Sequence, residues 1–361
     1  MHSTSNFIEK LGIRFPIIQA PMAGVSTPEL AAAVSNAGGL GSLGVGASTL
    51  DQARAMIEQT RRLTGQPFNV NVFCHAPAKR DSGREKAWLA YLAPLFNEAG
   101  LDTPDQLDEI YTSFLVDDEQ FKMLLELRPA VVSFHFGIPS AERIACLRDA
   151  GIYTMATATN LHEATLIEQA GIDAIVAQGI EAGGHRGMFD PKATDECLST
   201  MVLVRLLAAK TTLPVIAAGG IMDGHAVNSA LNLGAAAAQL GTAFVLCPES
   251  AANNAYRENL KSQRASQTRL TSVLSGRPAR GMVNRLITFG EKKGSPSPAD
   301  YPLAYDATKQ ISGAGSKLGN NEFAAQWAGQ GAPLARELPA AELIGILLSE
   351  MRSNQAFLTQ V

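Results

Sequence analysis

Eight short apolar runs recur along the first two-thirds of the chain, and each is followed by a segment with helical periodicity. They are PIIQA (16–20), GLGSLG (39–44), FNVNVF (68–73), AVVSFHF (130–136), IYTMATA (152–158), DAIVAQG (173–179), LPVIAAG (213–219) and AAAQLGT (236–242). Strands that run parallel need long crossover connections, normally helices, so this alternation predicts repeated βα units. Eight units in about 230 residues match a (β/α)8 TIM barrel, with a doubly wound open sheet as the alternative. Between the runs, TPELAAAVSNAGG offers Thr27 as N-cap, Pro28 at the first helical position and a glycine pair at the end. STLDQARAMIEQTRRLTG and GHAVNSALNLG read the same way.

Two segments stand outside the alternation. Residues 75–128 contain EKAWLAYLAPLFNEAGL and DDEQFKMLLELR, read as helices of an insertion over one barrel face. From 251 to 361 runs a C-terminal extension, broken by GSPSPADYP and ending in a closing helix, LPAAELIGILLSEMRS. The expected division is therefore a barrel from 1–74 and 129–250, a helical insertion at 75–128, and an extension at 251–361 serving as lid and closing helices. No internal repeat beyond the βα unit and no low-complexity tract is visible.

Composition narrows the function classes. With 46% hydrophobic residues, 18% charged and a net charge of −4, the chain is globular and carries no field to attract nucleic acid or an anionic membrane. No apolar run is long enough to span a bilayer and no signal-peptide pattern opens the chain, so a cytoplasmic location is expected. The four cysteines form no C-x-x-C pair and read as reduced, buried thiols. The six histidines lack any metal-ligand spacing, so no metal is expected.

In a parallel barrel the ligand site lies at the C-terminal ends of the strands. The chemically unusual residues gather there: QAPMAG after the first run, NVNVF within the third, HFGIP after the fourth, GIEAGGHRG after the sixth, AAGGI after the seventh and QLGT at the eighth. Gly219 and Gly220 could form a plain tight turn. Paired with Gly241 and Thr242 in the next loop, they read as a phosphate cradle built from backbone amides, since neither loop holds a lysine or arginine. The amides of Asn71 and Gln178 suit the edge of a heterocycle, although either could be a satisfied core amide. The G-x-G-x-x-G of Gly39 to Gly44 begins at a helix end and runs through a strand, the wrong context for a dinucleotide fingerprint.

Among the histidines, His135 reads as a core side chain with a backbone partner and His225 as an exposed residue of a helix start. His185 sits in a loop rich in glycine, expected to be flexible, which presents a side chain to a ligand better than it buries one. The neighbouring Arg186 should diverge in direction and make structural or surface contacts.

Taken together, QAPMAG, AGGLGSLG, HFGIP and GIEAGGHRG, in this order and at strand ends across the whole chain, resemble the nitronate monooxygenases, formerly 2-nitropropane dioxygenases, of the bacterial class I group. The resemblance implies an FMN-binding barrel that oxidises alkyl nitronates such as propionate 3-nitronate with molecular oxygen, giving nitrite and a carbonyl product. It makes His185 the catalytic residue, acting as a base or as an electrostatic stabiliser. It assigns FMN binding to Ala20, Pro21, Met22, Asn71, Gln178, Gly183, Gly184, Gly219, Gly220, Gln239, Leu240, Gly241 and Thr242, and substrate binding to Tyr111, His135, Tyr301, Tyr305 and Lys309. In YPLAYDATK, a helix would place Tyr301, Tyr305 and Lys309 on one face. The sequence departs from many relatives at Asn69, where glycine is frequent, and leaves open which of Asn69 and Asn71 meets the flavin. EAGGH also occurs in FMN-dependent enoyl reductases and NADH:quinone reductases, so an NAD(P)H-dependent reductase is the alternative. A homodimer is left open.

Overall fold

The computed structural model describes residues 2–358, with side chains described from 4 to 353. Its strands are β1 (Ile17–Gln19), β2 (Gly41–Gly44), β3 (Phe68–Phe73), β4 (Val131–His135), β5 (Tyr153–Ala158), β6 (Ala174–Gln178), β7 (Gly184–His185), β8 (Val215–Ala218), β9 (Ala237–Leu240), β10 (Thr268–Thr271) and β11 (Ala279–Met282). Eight of them form one parallel sheet in the order β1-β9-β8-β6-β5-β4-β3-β2. A parallel bridge between Ile18 and Leu40 joins the two edges, with Leu40 N–H donating to the Ile17 carbonyl at 2.9 Å. The sheet is thereby a closed (β/α)8 barrel, and each of the eight apolar runs supplies one strand.

Side chains alternate along a strand. Outward members such as Val70, Val72, Val132, Phe134, Ile175, Ala177, Val215 and Ala217 join the core beneath the surrounding helices. Inward members of the lower barrel, among them Ile18, Val131, Met155, Ala174, Val176 and Ile216, pack with Phe7 and Leu11 of the first helix, His2–Leu11, which closes the N-terminal end. Fully burying one Leu, Ile or Phe side chain contributes about 2 kcal/mol, so this double layer supplies a rigid platform for the opposite end.

Helix ends follow their expected caps. Thr27 Oγ1 accepts from Leu30 N–H at 3.0 Å, and Thr49 with Gln52 forms a reciprocal capping box. The glycines of AGGLGSLG serve packing: a Cβ at Gly41 would stand 1.9 Å from the Ala31 carbonyl oxygen, so only glycine lets β2 approach the helix Pro28–Asn36.

Two helices belong elsewhere than their sequence neighbours suggest. Asp118–Leu127, expected in the insertion, buries Met123, Leu124 and Leu127 in the barrel core and stands between Leu50–Leu63 and Ala141–Asp149 as an outer-ring helix. Ala340–Leu358 buries Ala340, Leu343, Ile344 and Leu347 in the same core and packs between Gly224–Asn232 and Pro28–Asn36. The last helix of the chain therefore completes the ring. In contrast, Ser82–Glu98 packs through Trp88, Leu92 and Phe96 against Leu303, Ala307 and Ile311 of the helix Leu303–Lys317. Insertion and extension thus share one hydrophobic cluster, separate from the barrel core.

All four cysteines are free, but only Cys74 and Cys247 are buried; Cys146 and Cys197 are exposed. Half of the expectation of buried thiols fails, because Cys146 lies on the outer side of a ring helix and Cys197 in an irregular loop. His225 is exposed, as its helix-start position predicted. Among the described residues no cluster could hold a metal ion and no helix is long and apolar enough to cross a membrane.

Candidate active site

At the C-terminal end of the barrel the inward positions turn polar. The same parity that buries Val131, Met155 and Val176 places Ser133, His135, Thr157 and Gln178 around a cavity of about 520 Å3, together with Asn71 and Gln239. Asn71 lines this cavity and Asn69 does not. Asn69 lies deeper and donates to Ser42 Oγ at 3.2 Å. Asn71 donates to Ser133 Oγ at 2.9 Å and keeps its carbonyl oxygen for the cavity. Leu240 is the one proposed cofactor residue that does not line it: it has outward parity on β9 and is buried in the barrel core.

One end of the cavity is lined by the glycine loops after β8 and β9. Gly219 and Gly220 have φ of +126° and +69°, conformations that side chains oppose, and a Cβ at Gly219 would stand 2.7 Å from Thr200 Oγ1. Beside them, the short helix Thr242–Val245 begins at Gly241 with no side-chain cap, so no capping side chain closes its N-terminal end. Thr242 Oγ1 accepts from Gly329 N–H at 3.0 Å, which leaves its proton to donate to a ligand oxygen. A Cβ at Gly183 would lie 2.5 Å from the same Gly329 nitrogen, so the loop after β6 and the C-terminal extension meet here at backbone distance. Ala20, Pro21 and Met22 form the neighbouring wall, and Gly184 lines the cavity near His185.

The loop carrying His185 is paired into a sheet. Gly184–His185 forms β7 and pairs with β11, with His185 opposite Ala279 and Gly184 opposite Arg280. β10 and β11 are an antiparallel hairpin from the extension, so residues far downstream in the chain hold the loop. The His185 carbonyl accepts two bonds, from Gln178 Nε2 at 2.9 Å and from His135 Nε2 at 3.1 Å. Gln178 Oε1 accepts from Gly187 N–H at 2.8 Å, so its amide holds this loop while the side chain still lines the cavity with a second Nε2 hydrogen. His135 must carry its proton on Nε2, because a carbonyl only accepts, and its Nδ1 then accepts from Thr157 Oγ1 at 3.0 Å. It lines the cavity with both nitrogens engaged, as the core reading of that residue expected.

Arg186 points the other way. It is 1% exposed, forms a bidentate pair with Asp195 at 2.8 Å and donates to the Gln178 carbonyl at 2.7 Å. Its role is to stitch the loop to β6, in line with a structural contact.

The His185 ring lies among aromatic groups: Trp327 at 5.0 Å, Tyr301 at 5.5 Å, Phe136 at 5.6 Å and Tyr305 at 5.9 Å between centroids. Its Nε2 lies 2.8 Å from Ser275 Oγ. Burial, followed by the nearby His135, Arg277 and His75, pushes the imidazole down to about 3, so it is neutral at ordinary pH. Tyr111 contacts Tyr301 and Tyr305, and Lys309 Nζ stands 4.8 Å from the centre of the Tyr111 ring. Among the described residues that line the cavity, Lys309 is the one lysine or arginine, and burial holds its ammonium below the ordinary range while Asp306 opposes the shift. Tyr305 and Lys309 share a face of Leu303–Lys317, whereas Tyr301 precedes the helix and reaches the cavity from the turn before it.

Sequence reasoning missed Ser275, Arg277, Phe136 and Trp327. A hairpin signal was present, since TRLT and ARGM flank a Gly-containing turn, but the extension was read for helices alone. Trp327 sits in a single antiparallel bridge to Gly281, with no periodicity to mark it.

A cavity with glycine loops at one end and a neutral histidine, a lysine and aromatic rings at the other can hold a flavin beside a small anion. The family model for nitronate monooxygenase matches residues 4–350. A nitronate monooxygenase of Pseudomonas aeruginosa is 58% identical over 349 residues, 97% of this chain and 99% of the relative. Among solved structures, nitroalkane oxidase from Streptomyces ansochromogenes superposes with a TM-score of 0.89 at 40% identity, covering 96% of this chain and 98% of that one. FabK from Thermotoga maritima follows with a TM-score of 0.75 at 29% identity, covering 98% of each chain. The chain belongs to the flavin-dependent nitronate monooxygenase family and is an oxidoreductase that oxidises nitronates.

Proposed function

We propose that the flavin is FMN, with its phosphate on the amides of Gly219–Gly220 and Gly241–Thr242, and that the enzyme uses molecular oxygen to convert alkyl nitronates such as propionate 3-nitronate into nitrite and a carbonyl compound. The observation that carries this reading is the division of one cavity into a cradle without cationic side chains and an aromatic end holding His185 and Lys309. Backbone amides at a helix start suit a bound phosphate, and the positive φ of Gly219 and Gly220 makes room for it. Asn71 Oδ1 and the Gln239 amide, which have no hydrogen-bond partner among the described residues, belong to side chains that line the cavity and fit the donors and acceptors of a flavin ring edge.

When bound, the flavin supplies the redox chemistry, accepting electrons from the nitronate and passing them on to oxygen. The protein's part is to bind and orient. The rings of Tyr111, Tyr301, Tyr305 and Trp327 exclude water around the substrate carbon, and Lys309 holds the nitro-group oxygens by charge. His185, neutral in the free protein, offers a single ring nitrogen to the cavity, since its other nitrogen is committed to Ser275.

The test is nitrite release from propionate 3-nitronate with and without NADH, alongside anaerobic mixing with NADH. Nitrite formed without NADH, with the flavin band unbleached by it, is the expected result; rapid bleaching and NADH-dependent turnover would establish a reductase instead. Lys309→Met is expected to raise KM about tenfold with kcat nearly unchanged, the worth of one charge-assisted hydrogen bond. Steady-state kinetics at low salt check it, and a loss confined to kcat would count against an anion-holding role.

A further inference from the structure

Behind the aromatic end of the cavity stands a charge without a counter-charge. Arg277, in the connection between β10 and β11, is 3% exposed and forms no ion pair among the described residues. One terminal nitrogen of its guanidinium donates to the Met188 carbonyl, and Nε is buried with no hydrogen-bond partner. Two carboxylates act on it, Glu163 and Asp190, but from beyond ion-pair distance, and both are engaged elsewhere. Glu163 accepts from Thr159 N–H at 2.7 Å, Thr159 Oγ1 at 2.8 Å and Phe189 N–H at 2.8 Å, and Asp190 accepts from Lys192 N–H at 2.9 Å. Arg186, equally buried, is answered by Asp195; Arg277 has no such answer. Burial brings its guanidinium down to about 10, so it stays charged at neutral pH. A buried charge without a partner is unfavourable unless something else repays its lost hydration.

The chain adopts a strained turn to set a ring before that charge. Phe136 has a φ of +75°, a left-handed conformation that a bulky side chain resists. Gly137 follows at +153°, and a Cβ there would stand 2.8 Å from the Cys74 carbonyl oxygen. The turn lays the Phe136 ring centre 4.2 Å from the Arg277 guanidinium carbon, and the same ring lines the cavity, 5.6 Å from the His185 ring. Arg277 does not itself line the cavity, so its charge is one aromatic ring removed from the space a ligand occupies. The titratable groups packed around Phe136 do not cancel it. Burial keeps the imidazoles of His75, His135 and His185 neutral and the Tyr301 hydroxyl protonated.

We propose that Arg277 is a specificity-determining residue whose uncompensated charge, acting across the Phe136 ring, makes the cavity select an anionic nitronate over a neutral nitro compound. The bound anion is the counter-charge that the free protein lacks. Arg277 touches neither substrate nor flavin, and its part is the field it supplies. Lys309, half-buried, holds the anion at the cavity wall, whereas Arg277 acts from an interior where salt screens it little. With an effective dielectric of about 20, a unit charge one ring away shifts anion affinity on the order of tenfold. The assignment rests on the nitronate reading of the site, but it is read from binding without turnover.

The experiment titrates the flavin-loaded protein with nitrate, an inert planar anion, and with acetamide, a neutral planar molecule, each followed by the flavin absorbance. Arg277→Met, which keeps an apolar stem and loses the charge, is expected to weaken nitrate about tenfold, to leave acetamide unchanged and to raise KM for the nitronate with kcat nearly constant. Arg277→Lys, which keeps the charge and loses the planar fork, should hold nitrate within about threefold of wild type. Equal losses of nitrate affinity in the two variants would make the role one of shape, and an unchanged affinity in Arg277→Met would remove the charge from recognition; either overturns the assignment. Lys309→Met tests it with Arg277 in place should the buried variants fail to fold. That protein should still prefer nitrate over acetamide by about tenfold, and loss of the preference would overturn the assignment. Wild-type turnover of nitronate tests the function separately.

Discussion

His185→Asn is expected to lower nitronate turnover by about a thousandfold, within the range of losses when a general acid or base or a charge-stabilising donor is removed. Flavin content should stay unchanged. The two outcomes separate because two different parts of residue 185 are at work. Its backbone pairs with Ala279 and its carbonyl accepts from Gln178 and His135, and asparagine keeps both. The glycine loops proposed for the phosphate follow β8 and β9 and do not involve the ring. What asparagine loses is the imidazole, its bond to Ser275 and its packing against Trp327 and Tyr301. Nitrite release and the flavin absorbance of the purified variant provide the two readouts. Wild-type turnover with flavin bound would remove His185 from the chemistry.

How much of this was legible in the sequence depends on the period of the signal. The barrel was, because eight apolar runs and the helical patterns between them repeat a local rule, and local rules survive without knowledge of the rest of the chain. The cavity residues at strand ends followed from the barrel. Leu240 did not fit because the stretch from Gln239 to Thr242 was taken whole, although strand parity turns Gln239 inward and Leu240 out. Gln178 lines the cavity, yet its amide bonds were unforeseeable: its partners are the His185 carbonyl and Gly187 N–H, which reach it only when the loop folds back. The helices Asp118–Leu127 and Ala340–Leu358 were recognisable as helices but not as ring members, since their partners lie far away in the chain.

The same long-range logic explains why His185 looked mobile. Glycines at 183, 184 and 187 read as freedom when seen alone. In the structure they permit close approach: a Cβ at Gly187 would stand 2.5 Å from Thr157 Cγ2, and one at Gly183 would collide with the Ala328–Gly329 backbone. The hairpin β10–β11 then removes the remaining freedom by pairing. Fixing the site thus takes three distant segments meeting, and of the four residues that went unnoticed Ser275, Arg277 and Trp327 belong to the extension that supplies the third.

That convergence also makes the fold sensitive to acid, and this is the second large expected effect. Burial pushes the imidazoles of His75 and His135 down to about 4 and that of His185 to about 3, with the Arg277 guanidinium lowering all three further. In the unfolded chain each would titrate near its ordinary value of about 6.5. As pH falls below that value the unfolded chain takes up three protons that the folded protein refuses, so stability is complete above about pH 6.5 and is lost toward pH 4. Each proton contributes about 1.4 kcal/mol per pH unit, so the three together steepen the dependence to about 4 kcal/mol per unit. Carboxylates held low by arginines, such as Asp195 beside Arg186, release their contribution only at more acidic pH. Urea unfolding of the flavin-loaded protein at pH 7.5, 6 and 5 should therefore show a midpoint that falls sharply across the last interval. His75→Phe, in a site whose neighbours include the Tyr301 ring at 5.0 Å, should lower the slope by about a third while His185 keeps its role. A midpoint independent of pH over this range would mean that the buried histidines accept protons in the folded state.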